Sequence, residues 1–413
     1  MIRFMNKKPA TSKRWIVLTA LACSLTATQA QTPQAEKAFI KENMEFATKQ
    51  YGLMMQTPAQ GKDGKAMMPH SMRKDGTPSK GSIYLWTAGF FPGTLWYLSD
   101  YTRDKALQDS ALAYTRQMEP AKTFTDNHDI GFMMYCSYGN ANRFAPEPGY
   151  EDILVESARS LCTRFRPKAN VIQSWNGFRS WHGDKVYDFP VIIDNMMNLE
   201  LLMEAYKLSG DTTLRHIALS HADKTMKCQY RKNYSCPHVV DYDAETGEVR
   251  KFDWNNGSDD VSVSTWARGQ AWGLYGFTMM YRETNDPKYL RHAEHIADFL
   301  IHHPNLPADG IPYWDYSGSG VSTLRDTSAA SIMASALIEL STYSANKDYF
   351  KTGEKILKNL SSDKYLAKPG KHSFFILKQA IGNYLRNSEL EGGLSYADYY
   401  YVEGLLRYFK QTN

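Results

Sequence analysis

The chain has 413 residues, of which 43% are hydrophobic, 22% charged and 13% aromatic, a balance that excludes a disordered or fibrous protein. Its formal charge of +4 comes from the N-terminal segment 1–30, which holds five basic side chains and no acidic one. Without that segment, 43 basic residues stand against 44 acidic ones. We therefore expect no broad basic surface and do not predict nucleic-acid binding.

The N-terminal segment 1–30 has the pattern of a secretory signal peptide. A basic region is followed by an apolar run over residues 15–25 and then by Thr28-Gln-Ala30, with small residues at the positions that signal peptidase reads. We predict cleavage after Ala30 and a periplasmic or secreted protein. Cys23 offers lipoprotein anchoring as an alternative, although Ala-Leu-Ala before it is a poor lipobox. No later segment has 18 uninterrupted apolar residues, so no membrane span is predicted.

Four cysteines follow the predicted cleavage site: Cys136, Cys162, Cys228 and Cys236. Export permits disulfides, and Cys228 and Cys236 lie eight residues apart in a turn-rich stretch, so this pair can form a bridge. Free thiols are an equally good interpretation, because a chain of this length needs no covalent cross-link. No two cysteines have CxxC spacing, and we predict neither a metal nor a cofactor.

One pattern recurs six times along the chain. Each instance begins with a polar or aromatic group and continues into a segment rich in Gly, Ala, Ser or Met that has the apolar spacing of a helix. The six instances begin at Trp86, His128, Asp194, Trp266, Asp326 and Tyr396. Their spacing leaves room for a helix, a loop and a second helix in each repeat.

Between these segments lie others with a one-sided apolar stripe and charged flanks: Lys105–Gln117, 150–165, 211–227, Pro287–Ile301 and 346–360. Helices that are apolar all round are buried, and one-sided helices cover a surface. We therefore predict an all-α fold, an (α/α)6 barrel of six inner and six outer helices, as a single domain over residues 31–413. An irregular all-α domain is the alternative. Residues 241–249 predict the turn of a small hairpin.

If the six inner helices start at one end of the barrel, their first residues surround a single opening. This opening would collect nine side chains: Trp86, His128, Asp129, Asp194, Trp266, Arg268, Trp272, Asp326 and Asp398. Asp129 and Asp194 can form an acid/base pair, because burial and a second carboxylate keep one group protonated near neutral pH. We interpret Asp326 and Asp398 as helix N-caps.

Several of the same residues suit the recognition of a sugar. Four tryptophans are candidates for stacking, with the hydrophobic core as the alternative: Trp86, Trp175, Trp266 and Trp272. Arg268 lies in a helix of small residues, where a buried cation needs an anionic partner. That partner is either a substrate carboxylate or an internal salt bridge with Asp194 or Asp326.

Seven stretches, taken together, resemble the unsaturated glucuronyl hydrolases, bacterial enzymes with an (α/α)6 barrel. The stretches are Trp86-Thr-Ala-Gly-Phe-Phe-Pro-Gly, His128-Asp-Ile-Gly-Phe, Ile172-Gln-Ser-Trp-Asn, Ile193-Asp-Asn-Met-Met-Asn-Leu-Glu-Leu-Leu, Trp266-Ala-Arg-Gly-Gln-Ala-Trp, Arg325-Asp-Thr-Ser-Ala-Ala and Tyr396-Ala-Asp-Tyr-Tyr. The resemblance implies release of 4,5-unsaturated glucuronate from the non-reducing end of lyase-generated glycosaminoglycan or related oligosaccharides. Such enzymes hydrate the C4=C5 vinyl ether: a carboxylic acid protonates C4, water adds at C5, and the resulting hemiketal opens.

The resemblance also implies residue roles. Asp194 matches the acid/base that protonates C4 and then activates water, and Asp129 matches a second carboxylate that orients the sugar and holds Asp194 protonated. Substrate-binding roles are implied for Trp86, His128, Trp175, His238, Arg268 and Trp272. Family members often carry a Gln-Gly pair before the arginine segment. Residues 255–260 read Asn-Asn-Gly-Ser-Asp-Asp instead, and Asn256 can substitute for that glutamine.

Three other functions stay open at this point. An unsaturated rhamnogalacturonyl hydrolase shares the barrel and the chemistry. A non-catalytic glycan-binding protein could keep the tryptophans but would not need both Asp129 and Asp194. A sugar epimerase on this barrel would need a histidine pair, and none is evident. The expected partners are unsaturated uronic-acid oligosaccharides, and Lys371-His-Ser373 and Lys378 are either sulfate contacts or a solvated loop.

Overall fold

The structure is a computed structural model that describes residues 33–57, 64–183, 185–254, 262–317 and 323–412. The predicted signal peptide, residues 1–30, and Asn256, within 255–261, lie outside the described residues. Helices dominate these ranges. They are α1 (Pro33–Met55), α2 (Phe90–Thr102), α3 (Lys105–Gln117), α4 (Ile130–Met134), α5 (Asn140–Phe144), α6 (Tyr150–Cys162), α7 (Asn195–Ser209), α8 (Thr212–Cys228), α9 (Ala267–Thr284), α10 (Pro287–Ile301), α11 (Thr327–Leu340), α12 (Lys347–Leu360) and α13 (Ser395–Thr412).

Six helices that are buried on most sides form an inner ring. A π-helical turn, Tyr135–Gly139, joins α4 to α5, and this continuous helix lies in the ring with α2, α7, α9, α11 and α13. Each member packs against the next, and α13 packs against α2, which closes the ring. The predicted inner segments begin within four residues of the observed helices.

The remaining helices cover this ring with one apolar side each. They are α3, α6, α8, α10 and α12, as predicted, together with α1, which packs against α13 and α2 and which the sequence analysis did not name. The (α/α)6 barrel is therefore confirmed. The hydrophobic core forms one large cluster that extends along the chain from Ile40 to Tyr408.

The two ends of the barrel differ in the length of their connections. An inner helix reaches the outer helix that follows it through a short corner, such as 103–104, whereas long segments, such as 163–194 and 229–266, lead from an outer helix to the next inner one. Three short corners combine a residue in the left-handed region with an aspartate that caps the next helix: Arg103-Asp104, Gly210-Asp211 and Asn285-Asp286. The long connections therefore gather where the inner helices start.

Short strands lie within these long connections. They are β1 (Met67–Met72), β2 (Pro78–Ser82), β3 (Phe165–Arg166), β4 (Val171–Ile172), β5 (Phe178–Arg179), β6 (Val186–Tyr187), β7 (Pro190–Ile192), β8 (Val239–Tyr242) and β9 (Val249–Asp253). The antiparallel pairs are β1–β2, β3–β4, β5–β6, β7–β8 and β8–β9. The hairpin of β8 and β9 confirms the predicted turn.

The structure also bears on the predicted disulfide and on the expectation that no segment spans a membrane. Cys228 and Cys236 are both free, as are Cys136 and Cys162, so the disulfide that the sequence allowed is not formed. Within the described ranges, no helix combines the length and the apolar character needed to cross a membrane.

Candidate active site

Asp129 and Asp194 stand directly before two inner helices, but neither side chain caps its helix. A carboxylate in that position ordinarily accepts a backbone N–H from the first turn. Other aspartates of this chain do so: Asp104, Asp211, Asp286 and Asp326. The carboxyl groups of Asp129 and Asp194 are therefore left available for a different task.

The predicted N-caps had different outcomes. Asp326 accepts the Ser328 N–H at 3.0 Å, so its interpretation as a cap is confirmed. Asp398 lies inside the first turn of α13 and accepts the N–H groups of Ile376 and Leu377 at 2.9 and 3.0 Å. It was wrongly interpreted as a cap, because it instead anchors the loop that precedes its helix. Burial raises the pKa of Asp398 to about 8.

Ser174 holds together the two segments that carry the aspartates. Its carbonyl oxygen accepts the His128 N–H at 3.1 Å, and its hydroxyl accepts the Ile192 N–H at 2.9 Å. His128 directly precedes Asp129, and Ile192 ends the strand that leads to Asp194. The starts of α4 and α7 are thereby fixed side by side.

The two carboxyl groups interact electrostatically. Burial, and secondly the Asp194 carboxylate, raise the pKa of Asp129 to about 8, while the positive charge of Arg164 opposes the rise. We expected Asp194 to hold the proton, whereas in this structure the raised pKa belongs to Asp129. With this pKa, Asp129 holds a proton near neutral pH beside the Asp194 side chain.

His238 lies beside Asp194 because of the strand register. Ile192 of β7 pairs with Val239 of β8, and this brings the His238 Nε2 atom to 3.5 Å from the Asp194 Oδ2 atom. The imidazole stacks on Trp181 with 5.1 Å between ring centroids and lies 4.4 Å from the Trp266 ring. His238 therefore lies next to the predicted acid/base, and its substrate-binding role stays a prediction.

The four tryptophans predicted to stack on a sugar differ in exposure. Trp86 is half-buried, 4.8 Å from the Tyr396 ring, and Trp175 is half-buried, edge-on to His238. Trp266 is almost fully buried. Trp272 is completely buried, and Phe132 and Tyr400 pack on its ring at 5.2 and 5.3 Å. Trp272 was wrongly predicted to contact substrate, because its position on α9 directs it into the core.

Arg268 forms the internal salt bridge that the sequence left open. Its Nη1 atom lies 3.2 Å from Asp326 Oδ2 and donates to the Ile381 carbonyl, and Nη2 donates to the Gly382 carbonyl at 2.7 Å. Both terminal nitrogens therefore have partners inside the protein, and the Nε atom is left for the expected contact with a substrate carboxylate. Arg268 ties α9 to α11 and to the loop before α13.

His128 was also expected to bind substrate, but it is completely buried. Its Nε2 atom lies 3.3 Å from Asp129 Oδ1, and its Nδ1 atom lies 3.2 Å from Asn198 Nδ2. The imidazole stands behind Asp129 and has no surface for a sugar.

Three residues around this site were not predicted from the sequence. Trp181 stacks on His238, and the density of aromatic residues over 175–181 was a signal for it. Tyr396 was recognised as a helix start but not as a neighbour of Trp86. Arg164 donates to the carbonyls of Gln173 and Thr125 and braces the loops behind Asp129, and no pattern in the sequence marks it.

Buried polar atoms without a hydrogen-bond partner cluster around Asp194. Among the residues that the structure describes, the unpaired atoms include Asp194 Oδ2, both ring nitrogens of His238, Trp266 Nε1, Arg268 Nε and the Tyr396 hydroxyl. Arg268 lies 4.5 Å from the Trp266 ring and 5.3 Å from the Tyr396 ring, which joins these atoms into one group. Buried polar groups are normally hydrogen-bonded, so this cluster indicates that a polar ligand completes it.

Comparison with known proteins agrees with this interpretation. No family model matches the sequence. Over 324 residues, the chain is 46% identical to the unsaturated glucuronyl hydrolase of Formosa agariphila, covering 78% of this chain and 79% of that protein. The chain belongs to the unsaturated glucuronyl hydrolase family. It is also 31% identical to the unsaturated glucuronyl hydrolase of Bacillus sp. GL1 over 337 residues, 78% of this chain and 85% of that one.

Solved structures of unsaturated glucuronyl hydrolases share the fold. One, an enzyme specific for heparin, aligns with a TM-score of 0.83 and 44% identity, over 91% of this chain and 98% of that one. Another, from Streptococcus agalactiae, aligns with a TM-score of 0.77 and 26% identity, over 91% and 93%. The (α/α)6 barrel and the glycosidase class predicted from the sequence are confirmed.

The raised pKa of Asp129 predicts how the stability of this unsaturated glucuronyl hydrolase changes with pH. The folded protein keeps a proton on Asp129 that the unfolded chain releases, so the free energy of unfolding falls as pH rises from about 4 to about 8. Asp129→Asn removes this loss. We expect the variant to exceed the wild type in stability at pH 8 by at least about 1 kcal/mol, with little difference near pH 4.

Denaturant unfolding across this pH range tests the prediction. Asp194→Asn should keep part of the pH dependence, because burial is the larger cause of the raised pKa of Asp129. Asp109→Asn, an exposed change on α3, is the matched control and should follow the wild type at every pH. An Asp129→Asn curve parallel to the wild type would contradict the raised pKa.

Proposed function

We propose that this chain releases 4,5-unsaturated glucuronate from lyase-generated oligosaccharides, with Asp194 as the acid/base and Asp129 as the second carboxylate. The main support is the cluster of unpaired buried polar atoms around Asp194, since a uronate offers hydroxyl and carboxylate groups to each of them. The uncapped state of both carboxyl groups agrees with this role.

The proposed reaction begins with the single proton of the carboxyl pair. Asp194 delivers that proton to C4 of the vinyl ether, and the positive charge that develops at C5 is stabilised by the ring oxygen. Asp194, now a carboxylate, removes a proton from a water molecule that adds its oxygen to C5. The hemiketal opens to a ketone at C5, the anomeric carbon becomes an aldehyde, and the leaving sugar departs as an alcohol.

Burial and electrostatics support the proton transfer. His238 next to Asp194 Oδ2 offers a polar edge to the reacting carbons or to the water. Trp86, Trp175 and Trp181 surround the opening with half-buried rings, which suit stacking on a sugar and limit the access of bulk water. A dry site in turn keeps the pair protonated near neutral pH.

Replacing either carboxyl group with an amide should abolish the reaction. The C=C bond conjugated to the substrate carboxylate absorbs ultraviolet light, so hydration bleaches that absorbance. Asp194→Asn and Asp129→Asn should each lower the bleaching rate on lyase-made disaccharides by at least about a thousandfold, because an amide cannot pass on the proton. Circular dichroism should show an unchanged helix content.

The matched control is Asp104→Asn. Asparagine caps a helix about as well as aspartate, and Asp104 caps the outer helix α3, so this variant should keep wild-type activity. A wild-type protein that bleaches no unsaturated uronide would contradict the proposed function, and an active Asp194→Asn variant would contradict the assigned role.

We further propose that the preferred substrates are unsaturated disaccharides of the heparin type. The solved hydrolase specific for heparin is 44% identical to this chain, whereas the unsaturated chondroitin disaccharide hydrolase of Streptococcus pyogenes is 30% identical. On the suggested sulfate loop, Lys371 is exposed and Lys378 donates to the Asp363 carbonyl, so Lys371 has the freer ammonium group of the two.

This preference predicts a ratio of rates. The kcat/KM for bleaching should be at least about tenfold higher for heparin-lyase disaccharides than for chondroitin-lyase disaccharides, a difference that pocket shape alone can produce. Unsaturated galacturonyl-rhamnose, the substrate of the rhamnogalacturonyl alternative, should not be bleached. Faster turnover of the chondroitin products, or of galacturonyl-rhamnose, would overturn the preference while leaving the hydration chemistry in place.

We also propose that the enzyme acts in the periplasm or outside the cell, after cleavage behind Ala30. The support is the order of basic, apolar and small residues over positions 3–30. Expression of the full sequence in a Gram-negative host should yield a periplasmic protein whose intact mass begins at Gln31. A lipid-modified N-terminus at Cys23 in the membrane fraction, or an uncleaved cytoplasmic chain, would contradict this location.

A further inference from the structure

Asn198 occupies a position behind the carboxyl pair that the proposed mechanism does not yet use. It lies on α7 four residues after Asp194, so both side chains leave the same side of that helix. Its Oδ1 atom accepts the Phe132 N–H of α4 at 2.9 Å, and its Nδ2 atom lies 3.2 Å from His128 Nδ1. The side chain is completely buried.

These two contacts fix the orientation of the Asn198 amide. A backbone N–H needs an acceptor, so the oxygen must face Phe132 and the NH2 group must face the imidazole. The two helices approach closely at this point, since a Cβ atom added at Gly131 would overlap the Asn198 side chain. His128 Nδ1 is therefore the acceptor of a hydrogen bond.

An imidazole that accepts at Nδ1 and is neutral carries its hydrogen on Nε2. Burial lowers the pKa of His128 to about 4, although the Asp194 carboxylate and the Asn195 side chain act to raise it, so the ring is neutral at pH 7. Its Nε2 atom lies 3.3 Å from Asp129 Oδ1 but makes no hydrogen bond with any residue that the structure describes. The Asn195 amide nitrogen donates to the Ile172 carbonyl at 2.8 Å, which leaves the Asn195 oxygen as a further acceptor beside the ring.

We propose that Asn198 is a positioning residue that holds His128 as its Nε2–H tautomer, so that the imidazole places an N–H group next to Asp129. This inference rests on the proposed function, in which Asp129 is the second carboxylate. An N–H group next to Asp129 favours the charged form of this carboxyl group, and so helps the proton of the pair to pass to Asp194 when substrate is bound. His128 thus acts through Asp129 and not on the sugar.

Nitrogen NMR of the wild-type protein tests the tautomer without any substitution in the site. In the full chain labelled with ¹⁵N-histidine, the chemical shifts of Nδ1 and Nε2 distinguish the two neutral forms. The His128 signals are assigned by their loss in His128→Gln. We expect a neutral ring with hydrogen on Nε2 at pH 7. Hydrogen on Nδ1 would overturn the proposal, whatever the activity of the protein.

Asn198→Asp tests the consequence for catalysis. A carboxylate of the same shape cannot donate to Nδ1 and instead accepts from it, so His128 should change to the Nδ1–H tautomer. Asp129 then loses the neighbouring N–H group, and we expect kcat to fall at least about tenfold while KM stays within about twofold. The alkaline limb of the kcat profile should move to higher pH, because a carboxyl group without this N–H group beside it holds its proton more tightly.

Asn140→Asp is the matched control. Asn140 is buried in α5 and donates to Cys136 and Tyr399, without contact to His128. This change can lower stability but should leave the pH profile at its wild-type position. If Asn198→Asp inverts the tautomer but leaves the pH profile unchanged, the proposed role in catalysis is wrong and Asn198 only connects α4 to α7. If the wild-type protein bleaches no substrate, the proposed function is wrong, and the NMR measurement still reports the tautomer of His128.

Discussion

The site depends on two carboxyl groups that are buried at the starts of neighbouring inner helices and are not used as caps. Helix N-termini favour the charged carboxylate, whereas burial and a second carboxylate favour the protonated one. For Asp129, burial and the Asp194 carboxylate raise the pKa to about 8, so the protonated form is favoured. The protein thereby keeps an acidic proton near neutral pH in a place where an ordinary aspartate would have lost it, and this proton is what the vinyl ether of an unsaturated uronide requires.

The architecture of the barrel explains why this pair can exist. Short corners close one end, while the connections at the other end are long enough to form strands and place loops over the inner helix starts. Ser174 and the pairing of β7 with β8 then bring three distant segments together, which carry Asp129, Asp194 and His238. Arg268 and Asp326 fix the opposite side of the opening through contacts inside the protein.

The sequence predicted the inner helices well, because small residues and all-round apolar character mark a helix packed on every side. It also predicted that Asp129 and Asp194 share an opening, since each begins such a helix. It could not predict side-chain direction. Trp272 and His128 lie within site motifs, yet the turn of the helix and the approach of α7 bury both. A substrate carboxylate was one predicted partner of Arg268. Its guanidinium instead donates to the carbonyls of Ile381 and Gly382, which lie on a loop far along the chain and could not be identified as partners from the sequence. Trp181 was missed because the loop over 173–189 has no periodicity that reveals its direction.

A carboxyl proton of the Asp129–Asp194 pair should survive to neutral pH, and infrared difference spectroscopy observes such a proton directly. We predict that the C=O stretch of a protonated carboxyl group disappears between about pH 7 and pH 9 in the wild type. Because burial also raises the pKa of Asp398 to about 8 and that of Glu200 to about 7, the comparison needs the single variants Asp129→Asn, Asp398→Asn and Glu200→Gln. Asp129→Asn should lose part of this band, and Asp398→Asn should keep the part that belongs to the pair. A band that is unchanged in Asp129→Asn and absent from Asp398→Asn would contradict this prediction.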